Sequence, residues 1–283
     1  MDKRQHWNTL IGILLAFSMH AQTGGRHIFQ FVNLSPGARI SALGGMPMAW
    51  RGGDPAAAYM NPSLLTESMS GKIQFAHQFY FESIGCGHLS YSHYLKRPGI
   101  SMQLGSQFVN YGELTRTDEY GNSSGSFEAR ETNVYLAASR TIQERLIIGL
   151  NLQYLFSKLD FDNAQALSLN GGVSYLNPDR KYSLSFLVKQ AGIVTSPYHD
   201  EREPLPFELQ LGFAKKLKHL PLIYHITFQH LEKWNLRYDD PDLESDGVLF
   251  GEPAKENTFE NELGNFLRHF VIGAELQLGK KEN

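Results

Sequence analysis

The chain has 283 residues and a mass of 32.0 kDa, a size at which a single all-β barrel or sandwich is a natural unit. Hydrophobic residues make up 42%, charged residues only 19% and aromatics 12%, and mean hydropathy is −0.32; this excludes both a bundle of membrane-spanning helices and a disordered chain. The net charge of −3 gives no global basic field for nucleic acid, and the lone Cys86 excludes an intrachain disulfide framework and any CxxC zinc or redox site.

The first 22 residues have the layout of a secretory signal. Lys3 and Arg4 precede an apolar run from Leu10 to Phe17, and the stretch ends at Ala21-Gln22. The run is far short of the roughly 20 residues a spanning helix needs, so residues 1–22 are expected to be a signal peptide and the mature chain to be exported.

Residues 23–71 lack a clean period and are rich in Gly, Pro, Ala and Ser. Gly44-Gly45, Gly52-Gly53 and Asn61-Pro62 are turn signals, and Leu34 to Leu43 is a candidate short helix. A segment of this size ahead of a barrel is suited to plug its lumen.

From Lys72 onward, apolar and polar residues alternate with a period of two, the mark of strands with one apolar and one polar face. Leu146, Ile148, Leu150, Leu152 and Tyr154 oppose Gly149, Asn151 and Gln153; Leu167 and Leu169 oppose Ser168 and Asn170; Leu209 and Leu211 oppose Gln210 and Gly212. Ten strands are predicted, near 73–83, 87–95, 100–112, 128–141, 145–157, 165–176, 182–193, 207–217, 222–238 and 266–279. Most exceed the usual 5–6 residues and match the roughly 9–11 that a tilted membrane strand requires. The polar face is small and uncharged, as suits a wet lumen.

The connections alternate in length. KRPG at 96–99, the turn at Gln143-Glu144, NPDRK at 177–181 and KHLP at 218–221 are short, whereas 113–127, 194–206 and 239–265 are long. This is the layout of an outer-membrane barrel with short periplasmic turns and long external loops. Tyr80, Tyr91, Tyr94, Tyr111, Tyr182, Tyr198, Tyr224, Trp234 and Tyr238 suit interfacial aromatic girdles.

No residue pattern points to catalysis or to a bound metal or cofactor. Ser92 and His93 are neighbours on one strand and so point to opposite faces. His225, Gln229 and Asp239 are candidates to face the lumen, but neither HExxH nor Gly-Xaa-Ser-Xaa-Gly nor a phosphate loop occurs. Segment 239–265 holds Asp239, Asp240, Asp242, Glu244, Asp246, Glu252, Glu256, Glu260 and Glu262 against Lys255 alone. It reads as a solvated external loop able to dock a basic partner surface.

Phe29, Phe31, Leu34, Ala38-Arg39, Leu43-Gly44-Gly45, Asp54 and Asn61-Pro62 resemble the opening of the PorQ/PorV family of the type IX secretion system, outer-membrane barrels similar to the fatty-acid transporter FadL. Residues 219–241 (HLPLIYHITFQHLEKWNLRYDDP) and 268–276 (RHFVIGAEL) lie nearer the PorQ side of that family. The resemblance runs from Gly24 almost to the end. It implies a barrel of about fourteen strands, of which ten are visible here, with residues 23–71 as a hatch carrying the motif residues Arg39, Gly44, Gly45, Asp54, Asn61 and Pro62. It also implies a non-enzymatic scaffold in outer-membrane lipid, holding a PorZ-like surface protein in a complex with a PorU-like sortase and a PorV-like barrel. Loops 113–127 and 239–265 are the candidate docking loops, with Trp234, Tyr238, Asp239, Asp240 and Asp242 as candidate contacts. A FadL-like channel for hydrophobic small molecules is the alternative.

Overall fold

The computed structural model describes residues 27–45, 48–49, 53–179, 181–199, 203–237 and 258–277. Ten antiparallel strands form one meandering sheet in which every strand pairs with its neighbours in sequence. They are β1 (Ile73–Phe79), β2 (Gly85–Leu95), β3 (Ile100–Thr117), β4 (Ser123–Ile142), β5 (Leu146–Leu159), β6 (Asp162–Asn177), β7 (Tyr182–Ser196), β8 (Glu208–Lys216), β9 (Leu222–Phe228) and β10 (Phe270–Leu276). The segment before β1 is compactly folded, with helices α1 (Ala38–Ala42) and α2 (Pro55–Met60) and one-turn 3₁₀ stretches at Gln30–Asn33, Pro62–Leu64 and Glu67–Met69. The helix foreseen over Leu34–Leu43 is confined to α1, because Pro36 and Gly37 precede it and Gly44 and Gly45 follow in the left-handed region.

The sheet is inside-out relative to a water-soluble domain. On β3 and β5, Leu104, Leu150 and Leu152 are 52–57% exposed, while Gln103, Asn151 and Gln153 are at most 1% exposed. Buried polar groups ordinarily have partners, and Gln103 finds its partner in the N-terminal segment, where its Nε2 donates to Pro55 O. That segment touches β1 through Gln74 and β10 through Glu275, so the sheet curls around it from one edge to the other. The N-terminal segment therefore packs against the polar face of the sheet, as the expected plug would.

Several boundaries also differ from expectation. The expected loop 113–127 is mostly strand. β3 and β4 continue past the last β2 pair, Gly85↔Asn110, as a free-standing hairpin from Glu113↔Glu128 to Thr117↔Ser123. A bulge at Tyr111-Gly112 breaks the alternation and hides this extension from a period-two pattern. The connection expected at 158–164 is a two-residue turn between β5 and β6. β9 stops at Phe228 instead of running to 238: the Gln229 amide makes one last cross-strand bond to the carbonyl of His269, and His230 then adopts a positive φ. The acidic segment 239–265 carries the start of helix α3 (Thr258–Leu267). Tyr111 and Tyr198 pack against the buried cluster of Phe29, Phe31 and Val32 rather than joining an outer girdle.

Candidate functional site

The site is the interface between the plug and the wall that holds it. Wall side chains donate to plug carbonyls that the short helices leave free. Gln107 Nε2 donates to Leu34 O at 3.0 Å, Gln74 Nε2 to Pro36 O at 3.1 Å and Gln78 Nε2 to Ser35 O at 3.0 Å. Gln103 Nε2 reaches Pro55 O at 2.9 Å, Ser139 Oγ reaches Leu65 O at 2.6 Å and Ser183 Oγ reaches Ala49 O at 2.5 Å. Each such bond contributes about 1 kcal/mol, and each would cost more if a partner were removed and the other left buried. The uncharged Ser, Gln and Asn pattern thus has a specific job: it replaces water for an irregular backbone.

Side-chain networks extend the fit. Tyr59 of α2 donates to Gln107 Oε1 at 2.5 Å and accepts from Asn133 Nδ2 at 3.1 Å, with its ring 5.0 Å from that of Tyr135. His88 Nδ1 lies 2.7 Å from Gln74 Oε1 and Nε2 lies 2.9 Å from the Tyr135 hydroxyl. Because Gln Oε1 only accepts, Nδ1 carries the proton and Nε2 accepts. Tyr59, Met60, Leu64, Ile40 and Tyr135 form a buried apolar cluster inside this polar shell.

The predicted motif residues are the joints of the plug. Arg39 makes two bonds to Glu275 of β10, at 2.7 and 2.9 Å, and lies 3.7 Å from Asp54. Asp54 caps α2 by accepting from the Ala56 amide at 2.9 Å, ahead of Pro55 in the first helical position. Gly44 and Gly45 close α1, the Gly45 amide bonding Ile40 O at 2.8 Å, with φ values of 81° and 78° that side chains avoid. Asn61 is fully buried and does three things at once. Its Nδ2 donates to Met48 O at 2.7 Å, its Oδ1 accepts from the Ser63 amide at 3.0 Å, and the same oxygen accepts from Ser63 Oγ at 2.7 Å. Pro62 then opens a 3₁₀ turn, and Ser63 Oγ sits 2.5 Å from Ser174 Oγ of β6. Glycines on β5 and β6 admit this turn: a Cβ on Gly149 would lie 2.3 Å from the Pro62 carbonyl carbon, and one on Gly172 would lie 2.2 Å from Asn61 Oδ1.

Two residues with no signal in the period also hold the plug. Lys189 and Glu208 face each other across β7 and β8 with their side chains 3% exposed, and they form an ion pair at 3.2 Å. Lys189 Nζ also donates to Asn33 Oδ1 of the plug at 2.9 Å. The next residue, Gln190, has φ 53° and turns inward beside Lys189, where its side chain bonds Ser168 and Gln153. A charged pair buried in a mostly uncharged wall becomes visible only once register is known.

At the end with the long connections, Trp234 stacks on His269 (5.3 Å, 25°) and lies 6.1 Å from Phe266 of α3, while Asn265 bonds the backbone of Trp234 and Leu236. Trp234 is 63% exposed, so the expected contact is available on a platform braced by α3. Tyr238, Asp239, Asp240 and Asp242 lie outside the described residues. The β3–β4 tip is a tight turn in which Asp118 accepts from the Tyr120 and Asn122 amides at 2.9 and 2.8 Å. Bonds from Asn122 and Tyr120 hold the Asp118 carboxyl below its usual range. Arg116 pairs with Asp160 and lies over Phe127 and Phe161, bracing the hairpin against the β5–β6 turn.

As alternation requires, Ser92 is buried and its neighbour His93 exposed. His225 does face inward, 2% exposed, whereas Gln229 bonds the backbone of Arg268 at the rim. Among the described residues no group of three His, Cys, Asp or Glu side chains is placed to hold a metal ion. No protein-family model and no curated protein matches the sequence.

Proposed function

We propose that this chain is an outer-membrane barrel of the PorQ/PorV type that mounts a surface attachment complex of the type IX secretion system. The observation that carries the reading is the plug. Plug carbonyls along the whole segment, from Leu34 to Leu65, are bonded by wall side chains, and glycines in the wall are spent on close approach to it. Such an interior suits a rigid mount better than a conduit. The apolar outer face and the strand lengths suit a bilayer.

Partner contact falls to the long-connection end. Tyr120 and Phe161 are 88% and 81% exposed, and Trp234 stands on its α3 platform. Exposed aromatics on braced elements make effective binding anchors. The partners in this proposal are a PorZ-like surface protein, a PorU-like sortase and a PorV-like barrel.

A tagged pull-down from detergent-solubilised outer membrane, followed by mass spectrometry, tests the reading. Recovery of a large surface protein and a sortase-like protease is expected. A barrel that emerges alone with bound acyl chains would replace this reading with a FadL-like channel for hydrophobic molecules. Deletion of 239–265 without loss of the partner would remove that segment from the interface.

A further inference from the structure

A cleft of about 550 Å³ opens at the short-turn end, between the plug turn at Thr66–Ser68 and the rim of β7 and β8. Three lysines line it: Lys181, Lys215 and Lys216. The Lys216 amide donates to Lys181 O at 2.9 Å, which holds the two side chains' origins together. Lys215 and Lys216 are half-buried, and none of the three has a carboxylate partner within 4.0 Å among the described residues. Glu67 is the one acid in the lining. Lys216 lies on the plug side of β8 with Ala214, Lys215 on the outer side with Phe213, and Lys181 is exposed at the same rim; three lysines about one lip of a cleft suit an anion with several oxygens.

A second observation specifies the rest of the ligand. Tyr182, Lys215 and Tyr224 form one cross-strand row, since Tyr182 pairs with Lys215 and Lys215 with Tyr224. The next row on the same face is Leu184, Phe213 and Ile226, and the one beyond is Phe186, Leu211 and Phe228. Each step of two residues advances about 7 Å. These six apolar side chains line an outer groove of about 410 Å³, and Phe213 bridges the rows with rings 6.2 Å from Tyr182 and 5.9 Å from Tyr224. The lysine cleft therefore continues over the rim into an apolar channel running along the strands.

We propose that the cleft and groove together bind one glycerophospholipid, its phosphate among Lys181, Lys215 and Lys216 and an acyl chain along Leu184, Phe213 and Phe186. The site rests on the membrane-barrel reading above. Its position gives it a role: the bound headgroup touches plug and wall at once, and so fastens the plug at the short-turn end.

The test uses the full chain purified in detergent and incubated with dioleoyl phosphatidylglycerol, with bound lipid counted by native mass spectrometry. One retained lipid is expected. Replacing all three lysines with Gln should lower its retention by about tenfold or more, and Leu184→Ser with Leu211→Ser should lower it several-fold. Dioleoylglycerol, which lacks the phosphate, and glycerol 3-phosphate, which lacks the chains, should both fail to compete. Unchanged retention in the triple-lysine variant, or full competition by glycerol 3-phosphate, overturns the site. Heat-modifiable mobility of the unmodified chain separates the two readings. A chain without it loses both the membrane barrel and the site, whereas a heat-modifiable barrel with lysine-independent retention loses the site alone.

Discussion

A methyl group added to Gly149 should lift the 61–63 turn out of the wall while leaving the sheet intact. The added Cβ would lie 2.3 Å from the Pro62 carbonyl carbon, 2.4 Å from the Ser63 nitrogen and 2.5 Å from Pro62 O. All three are backbone atoms, which cannot swing aside as a side-chain tip can. Overpacking of this kind costs about 1–3 kcal/mol. Displacing the turn also breaks the Ser63–Ser174 contact and the bonds of Asn61, at about 1 kcal/mol each. The strand itself gains a little, because Ala is better than Gly there by about 0.5–1 kcal/mol. The balance is about 3 kcal/mol against the docked plug, or roughly a hundredfold rise in its local opening constant. Hydrogen exchange at Asn61, Ser63 and Leu64, followed in Gly149→Ala protein that still runs as a folded β species, reads this directly. Gly171→Ala is the control: it lies one residue from Gly172 on β6, and its Cβ would meet only Leu150 Cδ2 at an ordinary 3.6 Å. Equal protection of the turn in Gly149→Ala and the unmodified chain, or equal loss in Gly171→Ala, would refute the picture of glycines as seats for the plug.

Lys189→Met strands the Glu208 carboxylate in the interior and leaves Asn33 without its donor, and should lower stability by about 3–5 kcal/mol; urea unfolding in lipid vesicles should show Lys189→Met with Glu208→Leu recovering most of that loss. Arg39→Met removes both bonds to Glu275 and should loosen α1 and β10 together by about 1 kcal/mol, since both partners are part exposed; faster exchange in α1 alone would disprove the coupling. The His230 ring is held above its ordinary value by its bond to Glu232 at 3.2 Å and, after the opposing effect of burial, by the charge of Glu208. A raised folded-state value means the stabilisation is complete below about pH 6.5 and is lost as pH rises through the raised value. With the ring 37% exposed, solvent screening keeps it under about 1 kcal/mol. After correction for intrinsic rates, Lys233, whose amide bonds His230 O, should exchange faster at pH 8.5 than at pH 5.5, and His230→Gln should abolish the difference.

The period-two alternation was enough to give ten strands and their inward and outward faces, because a strand's two surfaces meet different media and its residues alternate accordingly. It misled where local geometry breaks the alternation. The bulge at Tyr111-Gly112 concealed a hairpin, and the positive φ at His230 ended β9 ten residues early. The turn residues of the plug were legible as a motif, since Gly44, Gly45, Asn61 and Pro62 each encode a backbone conformation. What they hold was not legible. Glu275 meets Arg39 across 236 positions and Lys189 meets Asn33 across 156, and no local pattern announces pairs at that distance. The polar face carried a second ambiguity, because Ser, Gln and Asn suit water and a packed backbone equally; the full burial of Gln103, Gln107 and Asn133 decided between them.

The bonds from wall to plug also bear on the order of assembly. Residues 27–69 are made before any strand, yet the plug's bonds reach from Gln74 on β1 to Glu275 on β10. Contacts that span so much of the chain are slow to form. Because the segment's carbonyls take their partners from the strands, neither part holds its final shape without the other, and the bond from Arg39 to Glu275 ties the first folded segment to the last described strand.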